Sequence, residues 1–141
     1  MRRLQLSRLR RLRHGELGAA IPEFLMVSVV LIFLVMLIMQ AVLYLYIRSI
    51  VVASASEGAR FGANANSSPY DGAEVANRLI ARATSESVSD RVRCEGSEQP
   101  GEGGATLIRV RCAGDLPLFF VPLGDALPIN VRQQSTKEEP R

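Results

Sequence analysis

The longest uninterrupted pattern in the chain is apolar. From Phe24 to Ile47 the sequence reads FLMVSVVLIFLVMLIMQAVLYLYI, twenty-four residues without a charge, a glycine or a proline. A helix of that length rises about 36 Å, against a hydrocarbon core of about 30 Å, so the segment is long enough to cross a bilayer with some tilt. It is apolar on all sides, which suits lipid better than the one-sided core of a small domain. Past its end, Ile47, Ile50, Val51, Ser54, Ala55, Gly58 and Gly62 recur at spacings of three and four. This periodicity predicts that the helix continues beyond the membrane with a stripe of mostly small residues. Such a stripe permits close backbone approach, either to neighbouring membrane helices or to the chain's own domain. The run GANANSSP, from Gly62 to Pro69, then breaks the helix.

A second helix is predicted where Asp71 is followed three residues later by Glu74, a capping-box spacing. Its apolar face is Ala76, Leu79, Ile80 and Ala83, with Glu74 and Arg78, and Arg82 and Glu86, as pairs four apart on the wet side. From Val88 the period changes to two. Val88, Val92 and Cys94 alternate with Arg91 and Arg93, and Ile108, Val110 and Cys112 alternate with Arg109 and Arg111. The flexible run EGSEQPGEGG between them predicts an antiparallel hairpin with both cysteines on its apolar face, in a register the pattern leaves open. A third strand is predicted over Leu127 to Gln133. The segment DLPLFFVPLGD before it carries Pro117 and Pro122 and is expected to be a packed loop or an edge strand. Residues 134–141 are polar and expected to fray.

The expected fold is α+β: a long N-terminal transmembrane helix extending into a small domain with a second helix and an antiparallel sheet of about three strands. The divisions are a basic leader at 1–18, the transmembrane helix at 19–47, its extension at 48–63, and a small domain at 64–141. About eighty residues beyond the first helix make a marginal core. A disulfide, worth typically about 2 to 4 kcal/mol, and packing on the extended helix would supply what that core lacks.

Charge fixes an expected orientation. Arg2, Arg3, Arg8, Arg10, Arg11 and Arg13 are six of the seventeen cations, and all precede the apolar run. By the positive-inside rule they hold the N-terminus in the cytoplasm and send the C-terminal domain across the cytoplasmic membrane. Tyr44, Tyr46 and Arg48 suit an anchor at the outer interface. Beyond Gly18 the chain carries eleven cations against thirteen anions, so the basic pI does not argue for nucleic-acid binding. Cys94 and Cys112, the only cysteines, then lie where disulfides form. Two thiols with no histidine nearby cannot complete a zinc site, so a hairpin staple is expected and no metal, with two free thiols as the alternative.

Enzyme chemistry finds no support. His14 is the only histidine and precedes the membrane run. Gly101, Gly103 and Gly104 fall in a hairpin turn and not between a strand and a helix, so they do not form a phosphate loop, and no cofactor is implied. If the two strands pair, Arg91, Arg93, Arg109 and Arg111 project from one face. Either acidic residues such as Glu95 and Asp90 dilute them or the face meets an acidic partner, a solvated face being the ordinary case.

The segment GELGAAIPEF, residues 15–24, carries Glu23 at the mouth of the apolar helix, where a carboxylate is costly and needs a partner or a task. Gly18, four small or apolar residues, then Glu23 and Phe24 resemble the prepilin-peptidase site of type IV pilins. The Glu-Phe pair resembles the tight-adherence (Flp, type IVb) branch, and with ASASEGARFGA at 53–63 the segment is similar to the TadE-like pseudopilins, or minor pilins. The resemblance implies cleavage between Gly18 and Ala19 by a separate prepilin peptidase. It also implies assembly through Glu23 and Phe24 with other pilin or pseudopilin subunits and pilus assembly membrane proteins, in the membrane or in a surface pilus. Pro22 lacks an N–H, but after such a cut it falls in the first turn, where a missing donor costs little. The alternative is an uncleaved single-pass protein whose outer domain binds a partner protein or glycan.

Overall fold

A computed structural model of the chain describes residues 6–116 and 127–138, with side chains from Pro22 onward. Helix α1 runs from Leu6 to Gly62 with Pro22 inside it. It is followed by α2 (Pro69–Ala83), a short α3 (Glu86–Ser89), β1 (Val92–Pro100), β2 (Thr106–Leu116) and β3 (Leu127–Thr136). The chain forms two compact units, residues up to Met39 and residues from Gln40 onward.

The first unit is helical from Leu6, and from Phe24 to Met39 nearly every side chain is exposed: Phe24, Leu25, Met26, Ile32, Phe33 and Leu37 are each more than half accessible. The only helix among the described residues that is long and apolar enough to cross a membrane lies within Pro22–Gly62. This is the composition of a single-pass membrane protein.

The second unit is α+β. Its sheet has the order β1-β2-β3 and is antiparallel throughout. The inner face presents Val92 and Cys94 from β1, Val110, Cys112 and Leu116 from β2, and Ile129 and Val131 from β3. These pack with Ile47, Val51, Ala55 and Ala59 of α1, Ala76 and Ile80 of α2, and Val88. Burial of each larger aliphatic side chain contributes about 1.5 to 3 kcal/mol. The stripe of small residues on α1 therefore packs into its own domain. Where α1 crosses α2, a Cβ added to Gly58 would stand 2.5 Å from the Gly72 carbonyl oxygen and 2.9 Å from the Ala76 Cβ. Only glycine permits that separation of the two backbones.

Several local expectations shift. The cap of α2 is Ser68, not Asp71: the Ser68 hydroxyl accepts from the Asp71 N–H at 3.2 Å, and the Asp71 carboxylate accepts from the Ser68 N–H at 2.9 Å. The helix thus starts one turn earlier, with Pro69 in its first turn, where it needs no donor. Its buried face is Gly72, Ala73, Ala76 and Ile80, while Ala83 is exposed. Glu74 and Arg78 pair at 2.8 Å. Arg82 and Glu86 do not, because α2 ends at Ala83 and Glu86 opens α3. Val88 belongs to that short helix, not to a strand, and the extended period begins at Val92.

The strands are also longer than predicted. β1 and β2 extend to Pro100 and Thr106, and the hairpin closes through Gly103 and Gly104, whose φ values of 70° and 82° lie in the left-handed region. β3 continues to Thr136, so residues 134–136 are strand and not tail. The Glu138 N–H then donates to the Ala63 carbonyl at 2.8 Å. The proline-rich segment before β3 lies outside the described residues over 117–126.

Candidate functional site in the first helix

The residues singled out by the sequence fall along α1 and on the sheet. Gly18 and Ala19 are both within α1. One turn further on, Glu23 is exposed and makes no hydrogen bond or ion pair with any described residue. Phe24 beside it is 71% accessible. An ionised carboxylate next to a fully apolar helical surface is tolerable at the water boundary and increasingly costly deeper in a bilayer, on the order of 2.5 to 3.5 kcal/mol at its centre.

The far end of the apolar run lies in the second unit. Ile47 is buried in the domain core, whereas Tyr46 and Arg48 are exposed. Tyr44 is half-buried, and its hydroxyl donates to the Pro128 carbonyl across a long 3.4 Å. A phenol with an apolar ring and a satisfied tip is suited to a membrane–water boundary.

Cys94 and Cys112 are direct cross-strand partners and are joined by a disulfide between β1 and β2. The bond fixes the hairpin register, which decides which side chains meet the core. Sequence reasoning missed the residue that braces it. Asn77, from α2, donates through Nδ2 to the Cys94 carbonyl at 3.1 Å and accepts through Oδ1 from the Cys94 N–H at 2.9 Å. Its side-chain amide thus pairs with β1 as a neighbouring strand would. The available signal was a polar residue adjoining the apolar face of a predicted helix. Its partner sits seventeen positions away, and nothing local encodes it.

With this geometry in place, comparison with known families is specific to the first helix: the model described as TadE-like protein matches residues 18–60. Over that helix the chain is similar to TadE-like proteins. The match begins at Gly18, spans the whole apolar run and ends within the small-residue stripe, so it includes Glu23, Phe24, Tyr44, Tyr46 and Arg48 and none of the sheet. This likeness of the first helix suggests association with a tight-adherence pilus. No curated protein and no solved structure matches the chain.

Proposed function

We propose that this TadE-like chain is a minor pilin or pseudopilin of a tight-adherence pilus, made as a precursor and cut between Gly18 and Ala19 by a separate prepilin peptidase. The observation that carries this reading is the start of the family match at residue 18, five positions before Glu23, which has no partner among the described residues and opens an exposed apolar helical stretch. The cut frees an ammonium group at Ala19 and leaves a chain of 123 residues. That ammonium and the Glu23 carboxylate are opposite charges, each costly in lipid, and pairing between neighbouring subunits satisfies both. Phe24 and the apolar surface after it supply the contact area. The arginine-rich leader stays cytoplasmic, Tyr44, Tyr46 and Arg48 lie at the outer interface, and the disulfide-bonded domain is extracytoplasmic.

Co-expression with a prepilin peptidase tests the reading. Intact mass and N-terminal sequencing should find a species beginning at Ala19, and Gly18→Val should block its formation by obstructing the cut. An intact N-terminus beside an active peptidase removes the pilin reading. Glu23→Gln separates processing from assembly. Insertion and cleavage should persist while crosslinking to pilus partners falls, because stranding one charge of a buried pair commonly costs about 3 to 5 kcal/mol. Wild-type crosslinking in that variant would reduce Glu23 to a tolerated polar group.

A further inference from the structure

The outer face of the sheet concentrates arginine in a way the hairpin alone did not predict. β3 adds Arg132 directly opposite Arg111, and Arg111 in turn faces Glu95 of β1. Two positions along β2, Arg109 lies between Ser97 and Gln134. Like charges placed directly across a sheet are destabilising, and the single carboxylate does not relieve them. None of the three arginines makes a hydrogen bond or an ion pair with any described residue. Together with Glu95, Ser97 and Gln99 they line a groove of about 400 Å³. Arg91, expected on this face, precedes β1 in a turn, while Arg93 lies next to the groove on the same side.

The lining sorts the possible occupants. Its charge calls for an anion, and guanidinium forks match carboxylates in a bidentate manner. No aromatic or aliphatic side chain lines the groove, so it lacks the buried anchors that dominate protein–protein contacts. Glu95 would repel a uniformly acidic peptide or a phosphate-dense surface, yet it can accept hydrogen bonds from hydroxyls, as can Ser97 and the Gln99 amide. Adjacent strands are about 4.8 Å apart and same-face neighbours on one strand about 6.8 Å, which spaces the three guanidiniums on the scale of a pyranose unit. We infer that this groove binds an acidic polysaccharide, a polymer that presents carboxylates and hydroxyls alternately along an extended chain. The inference does not depend on pilus assembly, because it involves only the outer sheet face.

The test uses the full chain in phosphatidylcholine nanodiscs, with binding measured to polygalacturonate, to its methyl ester, to poly-glutamate and to inorganic polyphosphate. Polygalacturonate should bind, the ester should not, and affinity should fall as salt screens the groove. Arg111→Gln and Arg132→Gln should each weaken binding about tenfold or more, as expected for loss of a charge-assisted hydrogen-bonding pair. Arg82→Gln, an exposed arginine on α2, should leave it unchanged. Each groove variant should also melt at or above the wild-type temperature, since it removes like-charge repulsion; a structural arginine would show the opposite. The proposal is overturned by no binding, by equal binding of the ester, or by poly-glutamate or polyphosphate binding as tightly as the sugar acid. Equal loss in Arg82→Gln overturns it as well.

Discussion

Residues 24–39 and the domain from Gln40 onward are both rich in apolar side chains, yet they place them in opposite ways. In the first, bulky residues such as Leu34, Val35 and Ile38 are more than half accessible on every side of a lone helix. In the second, α1 presents small residues, Ser54, Ala55, Gly58 and Ala59, and buries them almost completely. The difference shows where each segment finds its partner. Bulky side chains around a helix exclude close neighbours and leave contact to lipid tails. Small ones admit another backbone, and the domain supplies it.

The largest expected effect comes from breaking the second arrangement and leaving the first intact. Gly58→Leu forces a side chain into the Gly72 carbonyl and the Ala76 methyl, where backbone and helix must both move. A loss of about 3 kcal/mol or more is expected for the domain, at the upper end of overpacking costs, and a domain of this size should melt about 4 to 8 °C lower for each kcal/mol lost. Leu34→Ala, in the accessible stretch, should leave that melting temperature unchanged in micelles. Equal shifts in the two variants would erase the distinction between the segments.

The disulfide ranks next. Cys94 and Cys112 close a hairpin with a sequence separation of 18, and a loop of that size corresponds to about 3 kcal/mol of unfolded-chain restriction. Denaturant unfolding with and without reductant should differ by about that amount, while the membrane segment, which holds neither cysteine, remains helical by circular dichroism. A smaller effect is expected from Asn77→Ala, which strands the Cys94 N–H and carbonyl at a partly buried edge. The expected loss is about 1 to 3 kcal/mol. Proteolysis should then open the β1 edge before it opens β2.

Which of these features were legible in the sequence depends on how local their cause is. The apolar run and the period-two alternation at Cys94 and Cys112 are patterns of neighbouring residues, and both elements appear where expected. The cap of α2 was also written locally, as Ser68 followed by Pro69 and, three positions on, Asp71, but a second spacing, Asp71 to Glu74, satisfied the same rule one turn later. Helix α3 has four residues, too few to display a period, so the alternation of its neighbours places Val88 in a strand. Three features depend on chain segments far apart: Asn77 against Cys94, Gly58 against Gly72, and Arg132 against Arg111. Each required the tertiary register. The arginine groove is the clearest case, since two of its members were visible on β2 and its third came only with β3.

The smallest expected effect concerns the cap itself and follows from its titration. The Ser68 hydroxyl donates to the Asp71 carboxylate at 2.7 Å and the Ser68 N–H donates at 2.9 Å. These bonds, the hydroxyl's first, hold the Asp71 carboxyl below its ordinary value of 3.8. Both favour the ionised form, and so does the positive end of α2. A carboxyl whose folded value is lowered contributes stability that is present above its unfolded value and lost as pH falls through the folded one. Asp71→Asn keeps an oxygen to accept from the Ser68 N–H but cannot titrate. The wild-type domain should therefore lose stability faster than the variant as pH is lowered from about 4, and the two should differ little near neutrality beyond a constant offset. Because the carboxylate is fully solvated, the difference in acid slope should be slight and should shrink further in high salt. Parallel melting curves for the two proteins from pH 5 downward would show that the Ser68 bonds do not distinguish the ionised from the neutral acid.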